Sequence, residues 1–387
     1  MALATRLDNL GTETAFAVSL AAAEWGQKGN RIFPFHLGDI NLPTSQNIVD
    51  AMNRAIADGK PGYCPGAGIP QLREALAANV GGDRGLSFDA SNVVVQPGGK
   101  PVITKFIQTI MNPGDEVLYP NPGYPIYESQ IEYFGGIAKP YRYIANGNGF
   151  SIDIDQIKSL ITPRTKAIVY NDLQNPNGAE STDAEREAIA EIAIANNLYV
   201  LSDEAYFEMR YEGKSKSISS LPGMAERTVI LYTFSKKFAM TGWRLGWLVL
   251  PPSMTPAVGK LIEFNTSCAP VFVQRGATVA LQRTEEVTPA LVAHLKTCRD
   301  TLVPLLAEVP GVSVATPRGG MYAFFHIDGY DDCLTLAKLL VREAGLGLAP
   351  GSAFGGEAQG WLRWCFASRD VGRLEEGVER LRGWLKG

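Results

Sequence analysis

The chain has 387 residues, enough for a large core shared between two units, and its 36 basic and 40 acidic side chains leave a net charge of −4. That balance gives neither the basic footprint of a nucleic-acid binder nor a face for an anionic membrane, and no stretch reaches the about 18 uninterrupted apolar residues of a membrane span. Five scattered cysteines and three dispersed histidines lack the spacing of a disulfide framework, a metal centre or a Ser-His-Asp triad. The first residues carry no basic segment followed by a long apolar one, so the expected location is the cytoplasm.

Taken in order, Thr14 to Trp25 reads as a helix and Arg31 to Leu37 as an extended run closing at Gly38-Asp39. Gly38 there is either an ordinary turn or a place where backbone approaches a ligand. Gly59 to Arg73 is crowded with Gly and Pro, which makes it a shaped loop until Pro70 opens a helix, with Tyr63 as its one large aromatic. Val93 to Gln96 is a short buried strand. Pro97-Gly-Gly-Lys-Pro101 follows it, and then a helix with apolar period runs through Val102, Ile103, Phe106, Ile107, Ile110 and Met111. Strand, glycines and helix start make either an ordinary Gly-Gly turn that binds nothing or an anion cradle of backbone N–H groups, which would rest on Gly99, Lys100 and later residues because Pro101 donates none.

Further strands follow at Glu116 to Tyr119, Ala167 to Tyr170 and Tyr199 to Leu201, and a helix with a buried stripe spans Asp183 to Asn196. Tyr124 comes just after the first of these strands, where an aromatic either stacks on a ligand or packs in the core. Asn175 lies in the turn sequence Asn-Pro-Asn-Gly, and Asp203 and Tyr206 follow the third strand. The apolar run Val229 to Tyr232 ends in Thr233, Ser235, Lys236 and Lys237. A lysine at such a strand end is either solvated charge or an amine desolvated for Schiff-base chemistry. The strand ends at Gln96, Tyr170, Ser202 and Tyr232 thus each deliver a polar candidate, as at the ligand edge of an open parallel sheet.

Beyond Pro251-Pro252 the pattern predicts a long connecting helix from Glu285 to Val309 with a kink at Pro304. It then predicts a strand in Pro317 to Phe325, a helix from Leu334 to Glu343 and a last strand from Trp361 to Phe366. Arg363 sits among large apolar residues in that last strand, with either its stem packed or its fork facing an anion.

The run Ser235-Lys-Lys-Phe-Ala-Met-Thr-Gly-Trp-Arg244 resembles the pyridoxal-phosphate lysine signature of the class I/II aminotransferases, in the fold type I aspartate aminotransferase superfamily. By that resemblance Lys236, not Lys237, forms the Schiff base with pyridoxal 5′-phosphate, and Thr233 and Arg244 hold its phosphate beside Gly99 and Lys100. Tyr124 would stack on the pyridine ring, Asp203 would pair with the ring nitrogen, and Asn175 and Tyr206 would meet the phenolate oxygen. The Gly-Gly-Lys-Pro sequence departs from the commoner family pattern at the phosphate.

Tyr63 falls in a segment similar to the family's Y-x-x-x-x-G-x-x-x-L-R, where the tyrosine reaches the neighbouring subunit's phosphate, which implies a homodimer. Arg363 falls in a strand similar to R-x-x-[FY]-A, which holds the substrate α-carboxylate, with Gly38 touching the same group through its backbone and Asn175 beside the substrate. The implied α/β fold has a large domain with a mostly parallel central sheet flanked by helices, over residues 45–284, and a smaller α/β domain. The latter is formed by the 1–44 arm or lid and the 285–387 connector helix and C-terminal segment.

The implied activity is ping-pong transfer of an α-amino group from an amino acid to a 2-oxo acid, 2-oxoglutarate by analogy, with catalysis by Lys236, Asp203 and Tyr206 and no metal, nucleic acid or membrane. Phe33, Phe35 and Tyr124 suit an aromatic substrate or simply a core. The same residues would serve a β-elimination C–S lyase or a cyclopropane-forming synthase. A cofactor-sensing regulator of this fold would need a basic helix-turn-helix segment, and the chain has none to spare.

Overall fold

The structure is a computed structural model and describes residues 3–11, 14–147 and 149–387. Runs rich in β-branched and aromatic residues form its strands. Along the chain these are β1 (Phe33–Pro34), β2 (Val93–Gln96), β3 (Glu116–Asn121), β4 (Ile137–Asn146), β5 (Gly149–Ile152), β6 (Thr165–Asn171) and β7 (Tyr199–Asp203). They continue with β8 (Thr228–Thr233), β9 (Gly246–Val249), β10 (Val312–Val314), β11 (Tyr322–Ile327), β12 (Leu346–Gly347), β13 (Ala349–Pro350) and β14 (Trp361–Cys365).

One sheet of eight strands has the order β2-β9-β8-β7-β6-β3-β4-β5. Pairing is parallel from β8 through β7, β6 and β3 to β4; β9 runs antiparallel between β2 and β8, and β5 folds back antiparallel on β4. Inserting β9 leaves β2 parallel to β8, so the carboxyl ends of β2, β3, β6, β7 and β8 share one edge. Every side chain of β2 and β8 is buried, as continuous apolar strands covered on both faces must be. Tyr232 stacks on Trp247 at 4.9 Å between ring centroids, and truncating either ring to alanine costs about 3–5 kcal/mol.

Local sequence sets the helix ends. Pro70 occupies the first turn of the Pro70–Arg84 helix, and Gly85 closes it in the left-handed region at φ 66°. Thr182 and Glu185 form a reciprocal capping box at the start of Asp183–Ala195, worth about 1 kcal/mol. Pro304 does not end the connecting helix, which runs from Thr284 to Ala307 and carries Pro289 as well. No helix among the described residues is long and apolar enough to cross a membrane.

The second sheet, β10-β11-β14-β13, is antiparallel, and β1 pairs in parallel with β12. An apolar cluster joins Val18, Phe33 and Phe35 of the N-terminal segment to Leu302, Trp364 and Leu381 near the other end of the chain. Two expected strands are shorter than their patterns. Of the run from Arg31 to Leu37 only Phe33–Pro34 pairs, because the Phe35 amide turns back onto the Phe33 carbonyl at 3.0 Å. The strand expected from Pro317 starts at Tyr322, because Gly320, at φ 74°, turns the chain first.

Candidate active site

The shared strand edge opens on a cavity of about 780 Å³. Gly38, Gly99, Lys100, Tyr124, Asn175, Asp203, Tyr206, Thr233, Lys236, Arg244 and Arg363 all line it. Tyr63 does not; it stands 88% exposed, outside the cavity of its own chain.

β8 delivers the amine. Thr233 ends the strand and accepts from the Ser235 amide at 3.1 Å, which starts a single helical turn over Phe234–Lys237. That turn sends the two lysines in different directions. Lys236 donates to the Gly38 carbonyl at 2.6 Å, inside the cavity. Lys237 is fully buried elsewhere, donating to Glu208 at 2.6 Å and Asn79 at 3.0 Å.

β7 delivers the carboxylate. Asp203 Oδ2 accepts from the Tyr127 hydroxyl at 2.5 Å and Oδ1 from the Ala205 amide at 3.2 Å, while Asn171 Nδ2 holds the Asp203 carbonyl at 2.9 Å. Burial dominates over these bonds and pushes the Asp203 acid up to about 6.

An anion cup forms where β2 meets the Gly99–Ile110 helix. Gly98, at φ 103°, precedes that helix, and a Cβ there would collide with the Arg244 guanidinium. Gly246 of β9 packs its Cα against the Gly98 backbone, so two glycines bring the helix start, Thr233 and Arg244 together. Helix N–H groups, hydroxyls and a guanidinium on one side of a cavity suit a phosphate.

Arg363 crosses from the smaller sheet. Its Nη1 donates to Asn175 Oδ1 at 2.9 Å and its Nη2 to the His36 carbonyl at 2.8 Å, while Nε is buried without a partner. The bond to Asn175 leaves that amide's nitrogen as the end available to a ligand. Tyr322 and Phe354 sandwich the guanidinium, with Cζ 4.2 and 4.5 Å from their ring centroids. A buried guanidinium held this way calls for an anion. His36, 2% exposed, stays neutral beside it; burial first, then the Arg363 charge, lowers its pKa to about 4.

Among the lining residues that sequence reading gave no role are Tyr127, Tyr322, Phe354 and Ser235. The first three look like core aromatics, and only tertiary contact gives them a role. Ser235 lay inside the lysine signature, which was the available signal.

A mostly parallel sheet with a strand-end lysine, a strand-end carboxylate and a glycine-lined anion cup defines the class as an α/β enzyme of fold type I, the fold of pyridoxal-phosphate aminotransferases. The sequence profile of the family Aminotransferase class I and II matches residues 32–381, and the chain belongs to that family, as an enzyme that transfers nitrogenous groups. It is 33% identical over 393 residues to a probable aspartate/prephenate aminotransferase of Aquifex aeolicus, covering 99% of this chain and 98% of that one. It is also 33% identical over 338 residues to an arginine–pyruvate transaminase of Pseudomonas aeruginosa, covering 87% and 86%. Among solved structures, an alanine aminotransferase from Pyrococcus furiosus superposes over the full length of both chains with a TM-score of 0.94 at 28% identity.

Proposed function

We propose that the chain uses pyridoxal 5′-phosphate to move an α-amino group from an amino acid to a 2-oxo acid by a ping-pong cycle, as a cytoplasmic homodimer. One observation carries this reading: an amine, Lys236, a buried carboxylate, Asp203, and the cup at Arg244 converge on a single cavity from separate strands. The cup fits a phosphate because only glycine at position 98 leaves room for the Arg244 fork. All five cysteines are free thiols, which suits a reducing compartment.

When bound, the cofactor supplies a carbonyl carbon for amines and a ring that draws the electron pair from the α-carbon. Asp203 would hold the ring nitrogen and favour its protonated form, and Tyr124 would pack against the ring. Asn175 and Tyr206 would donate toward the phenolic oxygen, while Gly99, Lys100, Thr233 and Arg244 would hold the phosphate. Arg363 grips the substrate α-carboxylate bidentately, with the Gly38 backbone and Asn175 beside it. Lys236 Nζ would be the group that holds the cofactor's carbonyl carbon and, as an amine beside the substrate's α-carbon, would serve as the base and then the acid for the α-proton. Fixing the α-carboxylate at Arg363 and the phosphate at the cup orients the α-hydrogen for removal and leaves the carboxylate in place.

The relatives' names differ in donor, so an α-amino acid is what transfers to this chain, with 2-oxoglutarate as acceptor by analogy. Residues 45–284 act as the cofactor-binding domain, and 1–44 with 285–387 as the smaller domain that brings Arg363 and Gly38 to it. Tyr63, exposed on its own chain, suits the phosphate of a second copy.

Borohydride reduction of the pyridoxal-phosphate-loaded protein, followed by peptide mass mapping, tests the assignment. The cofactor mass should sit on Lys236 and disappear in Lys236→Ala. A label on Lys237, or none, contradicts it.

A further inference from the structure

Tyr322 opens β11, on the smaller sheet, and is 3% exposed. Three of its contacts reach different parts of the site. Its hydroxyl lies 3.0 Å from the Tyr206 hydroxyl, with the two rings edge to face at 5.8 Å. Its ring face carries the Arg363 guanidinium at 4.2 Å. A Cβ on Gly38 would stand 2.5 Å from its hydroxyl oxygen, so the backbone that accepts from Lys236 is pressed against the same phenol. A buried tyrosine commonly finds some partner for its hydroxyl, and a core role alone would end there. Here the partner is a second phenol facing the cavity, and phenylalanine would fill the same space without it.

We propose that Tyr322 is a positioning residue that ties the hydroxyl of Tyr206 to the guanidinium of Arg363, coupling the cofactor side of the site to the substrate-carboxylate side. The inference rests on the proposed function. A phenol has one proton: when Tyr322 donates to the Tyr206 oxygen, the Tyr206 proton is left for a ligand oxygen, and the donated bond strengthens the one it feeds. The ring does a separate task. With Phe354 it holds the guanidinium between two faces, fixing the plane in which the fork meets a carboxylate.

The two tasks separate by substitution. The charged or titratable groups that share the cavity with the pair are Asp203 at the end of β7, Lys236 beyond β8, Arg363 on β14, His36 and Asp39 of the N-terminal segment, and Lys100, Tyr124, Tyr127 and Arg244, with Cys365 opposite Tyr322 on β14; Tyr322→Phe substitutes none of them. The readout is the pH titration of the visible absorption band of pyridoxal phosphate attached to Lys236. A less well bonded phenolic oxygen is more basic and keeps the proton it shares with the lysine nitrogen to higher pH. Tyr322→Phe should therefore move the midpoint up by about 0.5–1 pH unit, in the direction of Tyr206→Phe but by less. The double variant should shift no further than Tyr206→Phe alone, and the KM of Tyr322→Phe for the amino acid should stay within about twofold of wild type. Tyr322→Leu, which removes the ring, should raise that KM about tenfold.

A wild-type midpoint in Tyr322→Phe, or shifts that add in the double variant, overturns the inference while leaving the proposed function intact. A wild-type protein that develops no visible band with pyridoxal phosphate overturns both.

Discussion

Asp203 sets burial against chemistry. Removing its carboxyl from water holds the acid near 6, so in the cofactor-free protein part of it is protonated just below neutrality. Only the carboxylate pairs with a protonated ring nitrogen. Affinity for pyridoxal phosphate should therefore be level above pH 6 and fall as pH drops through about 6, by up to about tenfold per pH unit. Asp203→Asn should bind more weakly throughout and lack that inflection; fluorescence titration across pH 5–8 measures both. Arg363→Lys keeps a charge but loses the fork, so KM for the amino acid should rise at least about tenfold with a smaller change in kcat, read from steady-state kinetics. Residue identity at this scale was legible where the chemistry needs a rare placement. A lysine, a carboxylate and an asparagine at successive strand ends stand out, whereas Tyr127 and Tyr322 do not, since a tyrosine beside apolar neighbours has the pattern of core. Choosing between Lys236 and Lys237 needed either the family signature or the tertiary partners of Lys237, Glu208 and Asn79.

Among elements, the glycine step between β2 and the Gly99–Ile110 helix has the least freedom. Gly98→Ala puts a Cβ into the Arg244 guanidinium at a φ of 103°, so cofactor affinity should fall at least about tenfold, with about 1–2 kcal/mol of backbone strain besides. Equilibrium titration and urea denaturation separate the two effects. The N-terminal segment is tied in by His36, whose Nε2 lies 3.0 Å from Ser19 Oγ. Its folded pKa, about 4, is depressed below the ordinary 6.5, so the stability it contributes as a neutral ring is present above pH 6.5 and lost as pH falls through about 4. That loss is on the order of 3 kcal/mol, and His36→Gln should flatten the fall of the urea midpoint between pH 6.5 and 4. Helix ends and buried strands were legible because capping residues and apolar runs act locally. The antiparallel insertion of β9 and the shrinking of β1 to two residues were not, since both depend on which distant strand is free to pair.

At the scale of the whole molecule, a βαβ-rich segment followed by a connecting helix and further strands was readable, whereas the antiparallel pairing of the smaller sheet was not. Nor was the joint cavity of the two sheets, because Arg363 and Lys236 meet only in three dimensions. Phe33 and Phe35 lie in the apolar core and not in that cavity, and Tyr63 lies outside it too, its exposure being the reason to look to a second copy. Mixing subunits that carry Lys236→Ala with subunits that carry Tyr63→Ala tests this. If Tyr63 serves the neighbouring site, each mixed dimer has one site with both lesions and one with neither, and activity returns above that of either parent. A tyrosine acting within its own chain gives no intact site and no recovery.

The most direct test of the central claim is a half-reaction: pyridoxal-phosphate-loaded protein is mixed with single amino acids, with no acceptor present, while absorption and oxo acid are followed. Loss of the visible band with one equivalent of 2-oxo acid per site, and its return when a second 2-oxo acid is added, is the predicted result. Continued release of pyruvate and ammonia over many turnovers, or a band that no amino acid alters, would contradict it.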